Sequence, residues 1–179
     1  MTEVGTIYGG ALYDLAESEG LAEEILGQLQ VLAESFSKEP AYLSLLAAHG
    51  LPKEERCKIL DDSFAGKVHP YVVNFLKILT EKGYVRQFSN CCIAYTARYN
   101  EANNILPVTA VTAVALDAAQ AKRLTEKLEA RTGKTIVLTN RVDASILGGI
   151  RLDFDGKCLD DTLTHRLESV RTLLNNTIL

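Results

Sequence analysis

The chain has 179 residues, 47% of them hydrophobic, 23% charged and 7% aromatic, a balance that belongs to a globular protein of one or two domains and excludes disorder as its main state. A formal net charge of −4 speaks against a nucleic-acid binder, which carries a basic face, and against electrostatic docking on anionic lipid. The uncharged run Asn103 to Leu116 contains Pro107 and falls short of the roughly 20 apolar residues that a membrane-spanning helix needs.

In chain order, the first hundred residues read as helices. The N-terminus carries Glu3 and no basic segment, so it reads neither as a secretory signal nor as an Arg-rich transit peptide. Val4, Ile7, Ala11, Leu12 and Leu15 recur at three- and four-residue steps, which places them on one helix face until Gly20 breaks the pattern. Leu21, Ile25, Leu29, Leu32 and Phe36 form a second such face. Pro40 opens a third, shorter helix that ends at His49-Gly50. Pro52 opens a fourth, with Glu54 and Glu55 in the first turn, where the helix dipole favours negative charge; it stops at Gly66. Pro70 opens a fifth through Val72, Val73, Phe75, Leu76 and Leu79 to Gly83. Val85, Phe88, Cys92, Tyr95 and Tyr99 mark a sixth. Six helices with short connections predict a bundle.

After Ile105 the texture changes. Val108 to Val114 is β-branched and uncharged and reads as a strand. Asp117 is a natural N-cap for a helix through Leu124 and Leu128 to Gly133. Thr135 to Leu138 and Leu147 to Phe154 read as strands, Asp155-Gly156 as a hairpin turn, and Lys157 to Leu159 as the returning strand. Leu163, Leu167, Val170, Leu174 and Ile178 mark a last helix. The expected fold is α+β and mainly α: a six-helix bundle over 1–105, then a small α/β domain over 106–179. The first part is acidic, with nine Lys and Arg against fourteen Asp and Glu; the second holds ten against nine.

Chemistry is sparse. Cys57, Cys91, Cys92 and Cys158 form no CxxC and read as reduced thiols of a cytosolic protein, Cys92 as core. His49, His69 and His165 have no second ligand at metal spacing and read as exposed or capping residues. Asp153, Asp155, Asp160 and Asp161 invite a divalent-ion reading. As an EF-hand loop it fails, with Lys157 and Cys158 at positions five and six and Thr164 in place of the closing Glu. Gly9-Gly10 and Gly148-Gly149 belong to no phosphate-binding fingerprint. No catalytic residues, metal ligands or cofactor are expected, and contact with a partner is the natural role. Tyr8, Tyr42, Tyr71, Tyr84, Tyr95 and Tyr99 suit either an interface or a core margin.

Two strings carry a resemblance. Tyr8-Gly9-Gly10-Ala11-Leu12-Tyr13-Asp14-Leu15-Ala16 resembles the first-helix motif YAxALFxxA of the F-type ATP synthase delta subunit family, which includes the mitochondrial oligomycin sensitivity-conferring protein. It departs at Gly9, where Ala is usual, and at Tyr13, where Phe is usual. Asp143 to Leu152 resembles the family signature D-x-x-(hydrophobic)-x-G-G-(hydrophobic)-x-(hydrophobic), with Asp160-Asp161-Thr162 following where an Asp-x-Ser element is usual. Pro40, Pro52, Lys58, Pro70 and Asn74-Phe75-Leu76 fall in family positions, whereas Gly83-Tyr84 replaces a frequent Gly-Arg.

The resemblance implies a non-catalytic connector of the rotary ATP synthase, one copy per complex, peripheral on the cytoplasmic face of the bacterial membrane. Its N-terminal domain would hold N-terminal helices of the alpha subunits between the first and fifth helices. Its C-terminal domain would hold the b subunits of the peripheral stalk, so that the head resists rotor torque. Carried onto this chain, the groove would take Ile7, Tyr8, Ala11, Leu12 and Leu15 from the first helix, and Val72, Phe75, Leu76 and Leu79 from the fifth. Gly9, Gly10 and Ala11 would admit either a partner helix or a neighbour within the bundle. Leu163 to Leu179 is the candidate stalk contact. A free-standing adaptor for another amphipathic helix, and a small ion-binding protein built on the aspartates, are the alternatives.

Overall fold

The structure, a computed structural model, describes residues 2–48, 51–64, 66–146, 148–154, 156–160 and 162. The chain divides into two compact units, one ending at Tyr99 and the other starting at Asn100. Six helices make the first: α1 Glu3–Ser18, α2 Ala22–Lys38, α3 Pro40–Leu46, α4 Lys53–Phe64, α5 Pro70–Glu81 and, after a 3₁₀ turn Val85–Gln87, α6 Phe88–Ala102. Prolines open α3 and α5, as expected where the missing N–H has no helical partner. Two helices end in the same device. Gly20 and Gly83 take φ of +69° and +77°, and the N–H groups of Leu21 and Tyr84 donate back to the carbonyls of Ala16 and Leu79, at 2.8 and 2.7 Å.

The core of this unit gathers Ile25, Leu29, Leu32 and Phe36 of α2 around Leu46, Leu60, Val72, Leu76, Leu79, Val85, Phe88 and Tyr95. The α2 stripe is the one expected. Phe36 stands among three aromatic neighbours, Tyr42, Phe64 and Phe88, the last at 5.1 Å between ring centroids and steeply tilted. Tyr95 is buried and its hydroxyl donates to the carbonyl of Ala22 at 2.9 Å, which satisfies its one polar atom.

Helix α1 departs from expectation. Its buried residues are Gly5, Gly9, Gly10, Leu12, Tyr13 and Ala16, whereas Ile7, Ala11 and Leu15 are exposed. The bundle takes the stripe that carries the glycines, with Leu12 and Tyr13, instead of the one through Ile7, Ala11 and Leu15. Backbone proximity is the reason: a Cβ built on Gly9 would stand 2.3 Å from the carbonyl oxygen of Cys91, and one on Gly5 would stand 2.9 Å from the Cβ of Asn90. Gly9 and Gly5 therefore serve packing within the bundle, against α6.

In the second unit the sheet runs in the order β2-β1-β3-β4, with β1 Ile105–Thr112, β2 Thr135–Val142, β3 Ile150–Phe154 and β4 Lys157–Asp160. β1 and β2 are parallel, Ile105 opposite Thr135, and are linked by α7 Ala118–Thr132; β3 is antiparallel to β1 and to β4. Strand β1 begins three residues earlier than its β-branched run, and Pro107 is tolerated where β1 has a neighbour on only one side. Strand β2 runs four residues beyond its apolar start, because its pairing with β1 continues through Val142. Asp117 caps α7 with a reciprocal bond to Gln120, and Gly133 closes it at φ +66°. Leu124 and Leu128 of α7 lie one turn apart and pack on a core of Val108, Ala110, Ile136 and Leu152. The expected last helix, Leu163 to Leu179, lies outside the described residues.

The glycines give a test with opposite signs. Gly9→Ala should lower stability by about 1–3 kcal/mol, the usual result of overpacking. Gly27→Ala, in the middle of α2 with open space around its Cα, should raise it by about 0.5–1 kcal/mol. Urea unfolding followed by circular dichroism reads both, and an unchanged Gly9→Ala midpoint would refute the tight crossing.

Candidate functional site

An apolar groove lies between α1 and α5. It has a volume of about 480 Å³ and is lined by Tyr8, Ala11, Leu12 and Leu15 from α1 and by Tyr71, Asn74, Phe75 and Ile78 from α5. Each set follows the same spacing, i, i+3, i+4 and i+7, which is one face of a helix over two turns. Seven of the eight side chains are apolar or aromatic; Asn74 is the one amide. Leu12 and Phe75 are buried and form the floor, whereas Leu15 and Ile78 are 43% and 45% exposed and form the lips. Apolar side chains held at a surface in this way mark a contact site.

Capping positions both walls. Thr2 accepts the N–H of Gly5 at the start of α1. His69 Nδ1 accepts the N–H of Tyr71 at the start of α5, and the His69 N–H donates to Gln28 Oε1 at 2.7 Å, which ties α5 to α2. His69 is thus a capping histidine. Its ring meets Tyr71 edge-on at 4.8 Å, and Tyr8 meets Tyr84 at 5.9 Å, so both groove tyrosines lean on an aromatic neighbour. Arg98 with Asp14 and Lys77 with Asp61 make ion pairs at 2.7 Å, both partly or largely exposed and hence weak.

Of the nine residues expected to form the groove, Tyr8, Ala11, Leu12, Leu15 and Phe75 line it. Ile7 is 59% exposed and stands outside the lining. Val72, Leu76 and Leu79 have no accessible surface; they fill the core behind the α5 wall. Tyr71, Asn74 and Ile78 take the positions on α5 that sequence reading passed over. Helix α5 is apolar on nearly every side, so periodicity alone cannot separate its two faces. The α1 spacing could have: residues 8, 11, 12 and 15 have their match in 71, 74, 75 and 78. Ala11 is exposed in the groove, while Gly10 lies in ordinary contact with Arg98.

Among the described residues no ion site emerges from the aspartates. Asp153 accepts from Arg151 at 3.1 Å, and its carboxyl is held below the usual range by hydrogen bonds from Cys158 and Arg151. Asp155 and Asp161 lie outside the described residues. Among the described residues no group of three or more His, Cys, Asp or Glu is placed to hold a metal ion. Asp143, the first residue of the signature string, accepts from the N–H and hydroxyl of Ser145 at 3.0 and 2.6 Å, a turn at the end of β2. Gly149 has φ +89°, which explains a glycine there. No described helix is long and apolar enough to cross a membrane.

A six-helix bundle with an apolar groove at its surface, followed by a small α/β unit, defines the class of this protein by fold and site. The comparisons give its family. The family model described as "ATP synthase delta (OSCP) subunit" matches residues 4–174. An ATP synthase subunit delta of Lactobacillus gasseri is 32% identical over 173 residues, 96% of this chain and 94% of that protein. That of Acetivibrio thermocellus is 28% identical, with 97% and 98% covered. A chain of the Toxoplasma gondii mitochondrial ATP synthase hexamer, solved by cryo-electron microscopy, superposes with a TM-score of 0.77 at 17% identity, covering 97% of this chain and 98% of that one, and shows the same fold. The chain belongs to the ATP synthase delta (OSCP) subunit family. It is a non-catalytic structural subunit of an F-type ATP synthase, a membrane-associated complex.

The buried thiols follow from the same packing. Burial raises Cys91 from its ordinary 9.0 to about 11 and Cys92 to about 12. Raised values in the folded state mean that the stabilisation is complete below pH 9 and is lost as pH rises through 11 to 12. The urea midpoint should hold steady from pH 7 to 9 and fall above it. Alkylation of the native protein at neutral pH should reach the exposed Cys158 and spare Cys91 and Cys92.

Proposed function

We propose that this subunit is the connector between the catalytic head and the peripheral stalk. The first unit holds an amphipathic N-terminal helix of an ATP synthase alpha subunit in the α1/α5 groove. The second carries the b subunits, with one copy of the protein per complex on the cytoplasmic face of a bacterial membrane. The groove supports this reading: two apolar helix faces of equal spacing, with one amide between them, suit a third helix that presents apolar residues at the same spacing. The core residues Val72, Leu76 and Leu79 back the α5 wall, so the groove is formed before the partner arrives and little ordering opposes binding.

Ala11→Asp is the sharp test, because Ala11 is exposed and its replacement leaves the bundle core untouched. A charge buried under a docked helix costs about 3 kcal/mol or more, so the affinity for a peptide of the same organism's alpha-subunit N-terminus should fall about a hundredfold. Calorimetry with folded wild type and variant measures it; no binding by the wild type would end the head assignment. For the other end, removal of Leu163 to Leu179 should abolish binding of the b subunits while the separate head still hydrolyses ATP. Retained stalk binding would move that contact elsewhere.

A further inference from the structure

A second cavity in the helical unit has the opposite character. It has a volume of about 380 Å³, between the end of α3, the start of α4 and the end of α5, and Lys53, Arg56, Lys82 and Arg86 line it together with Glu81. The whole stretch 1–105 holds nine Lys and Arg against fourteen acids, so gathering four of the nine around one depression is a strong local excess of positive charge.

Arg56 is the informative residue. It is 8% exposed, its Nη1 donates to the carbonyl of Leu46 at 2.9 Å, and its Nε has no hydrogen-bond partner among the described residues. A guanidinium this deeply buried ordinarily has a carboxylate or phosphate beside it, because an uncompensated buried charge is expensive. Here no ion pair joins a described acid to any of the four cations. Glu81 is the acid of the lining, and its Oε1 lies 3.9 Å from Cys57 Sγ. The N-terminus of α4 contributes its positive dipole end, offset in part by Glu54 and Glu55 in its first turn. The C-terminus of α5 brings a negative end, whose Leu79 and Thr80 carbonyls are engaged by the N–H groups of Tyr84 and Gly83.

We propose that this cavity is a binding site for a polyphosphate group, free or carried on a nucleotide. Four cations against the one acid Glu81 leave a net of +3, more than one phosphate neutralises, and the volume suits a compact anion instead of a helix. Arg56 supplies the fixed buried charge, and the exposed Lys53, Lys82 and Arg86 close over the ligand from the rim.

The test is calorimetric titration of the full-length protein at low salt with inorganic pyrophosphate and, separately, ADP. The variants are Lys82→Gln and Arg86→Gln, which leave Arg56 and its bond to Leu46 in place. Lys122→Gln and Arg123→Gln, made singly on the exposed side of α7, serve as charge-matched controls. One-to-one pyrophosphate binding is expected, weakened about tenfold by each rim variant and unchanged in the controls. Equal affinity for ADP would assign recognition to the phosphates alone, and much tighter ADP binding would assign the nucleotide as the source; both support the site. Absence of saturable heat with both anions, or equal weakening in the controls, would overturn it. Alpha-peptide binding at the other groove is unaffected in either case, so the two readings fail separately.

Discussion

The arrangement of the helical unit depends on one close crossing, α1 over α6 at Gly5 and Gly9. Backbone meets backbone there, with no room for a methyl group at Gly9. Because that stripe of α1 is used inward, Ala11 and Leu15 stay at the surface beside α5. The groove is thus a consequence of the crossing: a helix with apolar groups on two faces buries the one whose glycines allow the shortest separation. The departure from the family motif at Gly9 lies at the point of closest approach.

Behind the groove lies the buried core. Val72, Leu76 and Leu79 fill the space between α5 and the core, and Phe36 joins three aromatic rings on the far side. Exposed ion pairs such as Lys38 with Glu34 add little to this. The α/β unit is built on a different rule. Its stability rests on β1, which pairs in parallel with β2 through the α7 crossover and antiparallel with β3. Leu124 and Leu128 cover the sheet face that would otherwise be wet.

Much of this was legible in the sequence where the physics is local. Pro40, Pro52 and Pro70 mark helix starts, because a proline loses nothing in the first turn. Gly20, Gly83 and Gly133 mark helix ends, because only glycine takes a left-handed backbone at no steric cost. The α2 stripe from Ile25 to Phe36 was legible because the remaining sides of that helix are largely polar, with Val31 the one large apolar residue left exposed. Strand limits were less so. The pairing of β1 with β2 carries strand structure on through Asn140 and Arg141, residues whose own preference is not for strands.

The sequence by itself determined the order and type of the elements, the division into a helical part and an α/β part, and, through its two motif strings, the family. Hydrophobic spacing is a property of one helix at a time, and it suffices when a helix has one apolar face. On α1 and α5, which have more, the tertiary structure alone decided which residues are core and which are surface. It sent Gly9 inward and Ala11 outward, and it put Val72, Leu76 and Leu79 in the core while leaving Tyr71, Asn74 and Ile78 to the groove. The deciding quantity is the distance to a neighbouring backbone, and that distance is set by residues such as Cys91 that lie some eighty positions away in the chain.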